Sequence, residues 1–145
     1  MIDPVTRFAL TDLVSDYCLG VDKKELSRFQ DIWWPDATWD IEFVQAFDGI
    51  DAITGAVENI VWPMWQNTTH YCANHRFTAD GPDNVKGVCD VYCIGNLANG
   101  EGAHVVASYY DDFERRDGAW RIKRRFVNQR AFNLLKDQSL SPPGG

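Results

Sequence analysis

Apolar residues in the first 65 positions recur at helical spacing. Over 5–21 they fall three and four residues apart, which predicts a helix with one buried face. A second, shorter helix is predicted over 23–34, where Pro35 would end it. A third is predicted to begin at Asp51, as the N-cap, and to run to about Trp65. The N-terminal part of the chain is therefore expected to be mainly helical.

From Thr69 onwards the apolar residues alternate with polar ones. Four such runs, which predict β-strands, cover 69–78, 84–97, 103–116 and 119–132. Segments rich in glycine and asparagine separate them and predict hairpin turns. An earlier strand is predicted over 37–43, followed by a turn at Phe47-Asp48-Gly49. The pattern predicts an α+β fold in which three N-terminal helices pack in a curved, mostly antiparallel sheet.

The length of 145 residues fits one domain with a substantial core. We assign residues 1–136 to that domain. The remaining stretch, 137–145, is polar and contains two prolines and two glycines, and it is expected to form a flexible C-terminal tail.

The charge pattern opposes a nucleic-acid partner. The formal net charge is −7, which would repel phosphates. The basic run over 121–125 is expected to face the acidic run over 111–114 across a solvated pair of strands. No stretch is long and apolar enough to span a bilayer, and the N-terminus does not resemble a targeting signal. We therefore expect a cytoplasmic protein without a membrane partner.

One Cys–His pair and one Cys–Cys pair have spacings that resemble metal-ligand pairs. Cys72 and His75 would point to opposite faces of one strand, and Cys89 and Cys93 would lie about 13 Å apart along another. Neither pair could chelate one ion. We expect no metal site, and the cysteines are interpreted as small apolar wall residues.

His70 and Asp22 are the candidates for acid–base chemistry. Alternation puts His70, Cys72 and Asn74 on one face of the strand over 69–78. Asp22 lies at the buried edge of the first predicted helix. A carboxylate on one imidazole nitrogen fixes the tautomer and stabilises the imidazolium that forms on proton uptake. From these residues alone, a purely structural histidine is an equally good interpretation.

Several short motifs occur in a specific order between about Leu13 and Phe132. They are Gly20-Val21-Asp22-Lys23, Ile32-Trp33-Trp34 with Asp36-Ala37 and Trp39, Val61-Trp62-Pro63-Met64, Thr69-His70-Tyr71, Gly95-Asn96-Leu97, and Glu114-Arg115-Arg116-Asp117-Gly118 with Trp120. In this order they resemble the SnoaL-like group of the nuclear transport factor 2 superfamily, and within it the hexachlorocyclohexane dehydrochlorinases.

The resemblance implies a cone-shaped α+β barrel around a deep apolar cavity, commonly in a trimer and without a metal or organic cofactor. It assigns catalytic roles to His70, Asp22 and Arg125, and it places Trp39 on the cavity wall. A homotrimer that binds a small apolar or polycyclic substrate is expected. With strand alternation added, the other expected substrate contacts are Cys18, Val61, Trp65, Thr68, Cys72, Val91, Cys93, Val105, Ala107, Tyr109, Val127 and Gln129.

Tyr17 departs from the dehydrochlorinase pattern, which has a lysine at this position. A tyrosine five residues before the aspartate resembles instead the bile acid 7α-dehydratases, and scytalone dehydratases also use a tyrosine. Hydroxide is a poor leaving group, and a phenol can supply a hydrogen bond or a proton to it. Tyr17 is therefore added to the catalytic residues.

We accordingly predict a lyase that eliminates water from a hydroxylated, polycyclic, steroid-like carbonyl substrate. His70, held by Asp22, would remove the proton next to the carbonyl, and Tyr17 and Arg125 would stabilise the developing charge. One alternative is a dehydrochlorinase that eliminates HCl from a chlorinated alicyclic substrate. Another is a small-molecule-binding module without catalysis.

Overall fold

A computed structural model of the chain describes residues 1–136 and 140–144. The helices are α1 Pro4–Asp22, α2 Leu26–Asp31 and α3 Ile50–Ala56, and a π-helical turn, Val57–Val61, joins α3 to the short α4, Trp62–Met64. The strands are β1 Trp33–Ile41, β2 Gln45–Asp48, β3 Trp65–Ala79, β4 Asn84–Leu97, β5 Gly102–Arg116 and β6 Ala119–Leu135. Within the described ranges, no helix could span a membrane.

The six strands form one sheet in the order β2-β1-β6-β5-β4-β3. β1 pairs with β6 in parallel, and every other neighbouring pair is antiparallel. The α+β fold with helices packed in a curved sheet is confirmed. The sheet does not close, however, because β2 and β3 remain as its edges. The predicted barrel is thus an open cone.

Helix α1 fills the inner face of the sheet because one of its sides is apolar. Asp3 caps its first turn by accepting a hydrogen bond from the backbone N–H of Thr6 at 3.0 Å. A Cβ on Gly20 would lie 2.9 Å from the backbone nitrogen of Phe29, so only glycine allows this close approach of α2. Asp22 is the last residue of α1, which brings its carboxylate to β3.

Three of the predicted element boundaries are wrong. The second helix ends at Asp31, and the segment around Pro35 belongs to β1, because Trp33 pairs with Ile122 of β6. Phe47 and Asp48 belong to strand β2 instead of a turn, and the chain reverses over 42–44.

The cap of the third helix also differs from the prediction. Gly49, at a φ of 86°, is its N-cap, and Asp51 lies within the first turn without capping it.

A bulge in β3 reverses the predicted alternation after Ala73. Asn74 adopts a φ of 57°, and the pairing with β4 shifts between Ala73 and Arg76. His75 therefore stacks on the buried Phe77, with ring centroids 6.0 Å apart, while Asn74 bonds the exposed Asp90. The prediction that Asn74 shares the face of His70 is wrong. Because of the bulge, Cys72 and His75 no longer have to point to opposite faces of β3, so that reason for excluding them as a metal pair is also wrong. In residues 1–136 and 140–144, no group of three or more His, Cys, Asp or Glu could hold a metal ion.

The predicted tail, 137–145, lies partly outside the described residues, which omit 137–139 and 145. In the described part, the backbone of Leu140 makes two hydrogen bonds of 2.9 Å with the side chain of Asn96 on β4. The flexibility of this segment stays a prediction.

Candidate active site

An apolar cavity of about 350 Å³ lies between α1, the helical segment that ends at α4, and the inner face of the sheet. Its volume suits a small organic molecule. Most of the expected contacts line it, together with Tyr17 and His70. The expected contacts that line the cavity are Trp39, Val61, Trp65, Thr68, Val91, Cys93, Val105, Ala107, Tyr109, Val127 and Gln129.

His70 and Asp22 are in direct contact at the edge of this cavity. His70 Nδ1 lies 2.6 Å from Asp22 Oδ1, and the His70 backbone N–H donates to Oδ2 at 2.8 Å. Thr68 Oγ1 also donates to Asp22 Oδ1, at 2.6 Å. Because a carboxylate only accepts hydrogen bonds, the imidazole hydrogen belongs on Nδ1, and Nε2 keeps a basic lone pair. The contact gives His70 a defined tautomer.

The environment keeps Asp22 ionised. Burial alone would raise the pKa of its carboxyl group, but the hydrogen bonds and charge of His70, with the hydroxyl of Thr68, outweigh burial and lower that pKa below its usual value. Asp22 itself does not line the cavity. It is placed to orient His70 instead of contacting a ligand.

Tyr17 packs at the centre of an aromatic cluster on the cavity wall. Its ring meets those of His70, Trp39 and Tyr109 edge to face, with centroid distances of 6.2, 5.9 and 5.3 Å. Burial raises the pKa of Tyr17 well above its usual value, although the nearby Arg125 opposes the shift. The hydroxyl therefore stays protonated and can donate a hydrogen bond.

Arg125 lies behind the cavity wall and does not line it. Its side chain is fully buried and binds Asp111 through two hydrogen bonds of 2.8 Å. Its Cζ atom lies 4.3 Å from the ring centroid of Tyr17 and 4.1 Å from that of Tyr109. Burial would lower the pKa of Arg125, but Asp111 outweighs it and raises this pKa well above the usual value. Arg125 is a buried cation that acts on the cavity only through the two tyrosine rings.

The pairing of Arg125 with Asp111 corrects the expectation of a solvated pair of strands. The two residues are partners in the β5–β6 register and both point to the inner face. Arg124, the residue before Arg125, also does not pair with the acidic run, because its partner is the partly exposed Asp40 of β1.

Cys18 and Cys72 do not contribute to the cavity wall, contrary to the prediction. Their Sγ atoms lie 3.4 Å apart, so each thiol faces the other between α1 and β3. The hydrogen bond with Cys18 and burial raise the pKa of Cys72 to about 12, so this thiol is protonated and unreactive near neutral pH.

The cavity mouth contains apolar residues that the sequence reasoning missed. Phe132 turns inward because a register shift in β6 between Gln129 and Ala131 reverses the alternation. Phe43 is 86% exposed at the tip of the β1–β2 hairpin, where its φ is 65°. Positive φ at a non-glycine residue is not readable from apolar periodicity. The further lining residues are Val21, Ile41, Val44, Ile60 and Met64.

Three residues that pack against Tyr17 have a buried nitrogen atom without a hydrogen-bond partner among the described residues. These atoms are Trp33 Nε1, Trp39 Nε1 and Arg125 Nη1. Buried polar groups are normally paired, so an unpaired donor on a cavity wall is available to a ligand. Trp39, however, lines the cavity with other atoms of its ring, because its Nε1 has almost no accessible surface. The site thus combines one base with neutral hydrogen-bond donors in an apolar enclosure.

Comparisons with known proteins connect this geometry to one family. The SnoaL-like domain model matches residues 6–126. Hexachlorocyclohexane dehydrochlorinase 1 of Sphingobium indicum is 37% identical over 140 residues, which cover 96% of this chain and 91% of the relative. The crystal structure of a type 2 hexachlorocyclohexane dehydrochlorinase matches with a TM-score of 0.93 at 37% identity, over 97% of this chain and 95% of that one.

A dehydratase relative is more distant. A scytalone dehydratase-like protein from Novosphingobium aromaticivorans matches with a TM-score of 0.82 at 18% identity, over 97% of this chain and 95% of that one. At this identity the likeness concerns the fold alone. The prediction of water elimination from a steroid-like carbonyl substrate is therefore wrong, because the similar curated relatives are dehydrochlorinases.

Proposed function

The chain belongs to the SnoaL-like domain family, and from this membership we propose that it is a lyase that eliminates HCl from a chlorinated alicyclic substrate. The observation that carries the proposal is the contact of His70 with Asp22 at the wall of an apolar cavity. A binding module would have no need of a buried carboxylate that fixes the tautomer of a cavity histidine.

In the proposed reaction His70 Nε2 removes a proton from a carbon atom next to the chlorinated carbon. The electron pair of that C–H bond becomes the new C=C bond, and the C–Cl bond breaks with its electrons leaving on chloride. Asp22 accepts the Nδ1 hydrogen bond and stabilises the imidazolium that results. The products are a cyclic chloroalkene, chloride and a proton on His70.

The departing chloride is already a stable anion, so it needs hydrogen-bond donors and no proton. Tyr17, on the cavity wall, supplies a hydroxyl that stays protonated. The field of the Arg125 cation, behind the tyrosine ring, favours negative charge on the cavity side. Tyr17 would in this way take the place of the lysine that the dehydrochlorinase pattern has.

The test is chloride release from γ-hexachlorocyclohexane, followed with a chloride electrode and by identification of the alkene by gas chromatography. Substrate with deuterium in place of the ring hydrogens should react more slowly if proton removal limits the rate. Stoichiometric chloride and alkene would support the proposal. Binding of the substrate without chloride release would leave only the binding-module alternative.

Tyr17→Phe should reduce turnover by about 10- to 100-fold, because it removes one donor to the developing chloride. The phenylalanine ring keeps the packing against Trp39 and Arg125, so the fold and substrate affinity should change little. Chloride release would be measured for this variant and for Tyr71→Phe, which removes a hydroxyl from an exposed tyrosine. Equal rates for Tyr17→Phe and the wild type would show that the hydroxyl takes no part.

We also propose that the protein is a homotrimer, as the family resemblance implies. Large aromatic residues that would favour such contacts, Tyr71, Tyr92 and Tyr110, are 38–61% exposed on the outer face of the sheet. Light scattering should then give about three times the 16.5 kDa mass of one chain. Tyr110→Asp would place a charge in that face and should lower the mass, whereas a monomeric wild type would refute the proposal.

A further inference from the structure

Asp22 receives a third hydrogen bond, which does not come from His70. Thr68 Oγ1 donates to Oδ1 at 2.6 Å, and this is the same oxygen that lies 2.6 Å from His70 Nδ1. Thr68 and His70 are two residues apart on β3 and share its inner face. One carboxylate oxygen is thus shared between the imidazole of His70 and the hydroxyl of Thr68.

We propose that Thr68 is a positioning residue that fixes the Asp22 carboxylate and limits the negative charge it presents to His70. This inference rests on the proposed role of His70 as the base. A base must be unprotonated to act, and a bare carboxylate beside it would favour the imidazolium. A hydroxyl that donates to the same oxygen spreads the charge, which weakens the attraction of the carboxylate for a proton on the imidazole.

Apart from His70, the other described side chains around Asp22 are not placed to fix its carboxylate as Thr68 is. The titratable groups that face the His70–Asp22 pair are Tyr17 from α1 and Cys93 from β4, whereas Cys18 and Cys72 face each other. Burial raises the pKa of Tyr17 and that of Cys93, the latter to about 12, so both are neutral. On the opposite side a niche for about one water molecule is lined by Asp22, Thr68 and Lys24. Among the described residues, the hydroxyl of Thr68 is the donor to the carboxylate that does not belong to His70.

Thr68 also lines the cavity, so it could act through its shape instead of through its hydrogen bond to Asp22. Two substitutions give different results for these two roles. If its shape mattered, Thr68→Val would behave like the wild type, since valine has nearly the same volume. If its hydrogen bond matters, Thr68→Ser would behave like the wild type, since serine keeps the hydroxyl. The two substitutions therefore separate the two roles. Thr69→Val is the matched control, because Thr69 is exposed on the other face of β3.

The first measurement is the titration of His70 by NMR, which needs no substrate and is readily assigned because the chain has three histidines. In Thr68→Val the titration of His70 should move to higher pH by about half to one unit. Thr68→Ser and Thr69→Val should leave it within about 0.2 units of the wild type.

The second measurement is the pH profile of chloride release. In Thr68→Val the acid limb of kcat/KM should move by the same amount, and kcat should fall by about three- to tenfold because the carboxylate is less well fixed. No shift with Thr68→Val, or an equal shift with Thr68→Ser, would overturn the proposal. A shift in the NMR titration of a protein that releases no chloride would support the role of Thr68 and refute the proposed function.

Discussion

His70→Gln should reduce chloride release by about 10²- to 10⁴-fold, the usual contribution of a general base. Glutamine has a similar length and keeps a hydrogen-bond donor for Asp22, so the cavity should survive the change. What it lacks is a basic nitrogen. Turnover of γ-hexachlorocyclohexane at saturating substrate would measure the loss, and circular dichroism would verify the fold.

Among the cavity-wall residues in the described part of the chain, no other group can replace His70 near neutral pH. Burial raises the pKa of Tyr17, of Tyr109 and of Cys93, so all three hold their protons. The remaining lining residues are apolar or carry only amide, hydroxyl or indole groups.

The matched control is His104→Gln. His104 contacts the hydroxyl of Tyr92, at 3.1 Å, away from the cavity, and its loss should leave the rate unchanged. A His70→Gln variant that keeps more than a tenth of the wild-type rate would refute the assignment of the base.

Asp111→Asn should destabilise the protein by about 3–5 kcal/mol, because it leaves the Arg125 charge buried without its partner. Both side chains of the pair are at most 2% exposed, so water cannot solvate the remaining charge. The free energy of unfolding, measured by urea titration at neutral pH, tests this. Turnover should also fall, since Arg125 supports the ring of Tyr17.

Asp112→Asn is the control for this effect, because it changes the same group at the next position of β5. Asp112 pairs with Lys86 in an exposed ion pair, 40% and 62% exposed, and its loss should change stability by less than about 1 kcal/mol. The double substitution Asp111→Leu with Arg125→Met removes both charges and should recover most of the stability. Equal stability of the Asp111→Asn and Asp112→Asn variants would contradict the importance of the buried pair.

The residues alone did not predict the contact of His70 with Asp22, because one histidine and one aspartate fit many folds, and the family resemblance was needed to pair them. The same alternation that placed Ala107 and Tyr109 on the inner face also leads to Asp111. The expectation of a solvated charge pair was therefore avoidable, since inward alternation on two neighbouring strands predicts a buried pair at Asp111 and Arg125.

Other features could not be read from periodicity. The bulge at Asn74 and the register shift near Gln129 each insert one residue, and after each the two faces of a strand exchange. Pairing with a distant strand decides where such an insertion falls. Tyr17 lies on the cavity wall, but its residue type could not select the leaving group, because a phenol can donate a hydrogen bond to chloride or to hydroxide.

The place of β6 in the sheet has a consequence for how the protein folds. β6 is the last of the six strands along the chain, yet it lies between β1 and β5 in the interior of the sheet. Trp39 of β1 pairs with Arg125 of β6, so more than 80 further residues must be synthesised before the parallel partner of β1 is available. Such distant pairing slows folding and leaves strand edges exposed to aggregation meanwhile. The first half of the chain contains both residues of the His70–Asp22 contact. The cavity wall is complete only when β6 has left the ribosome, because β6 provides part of it.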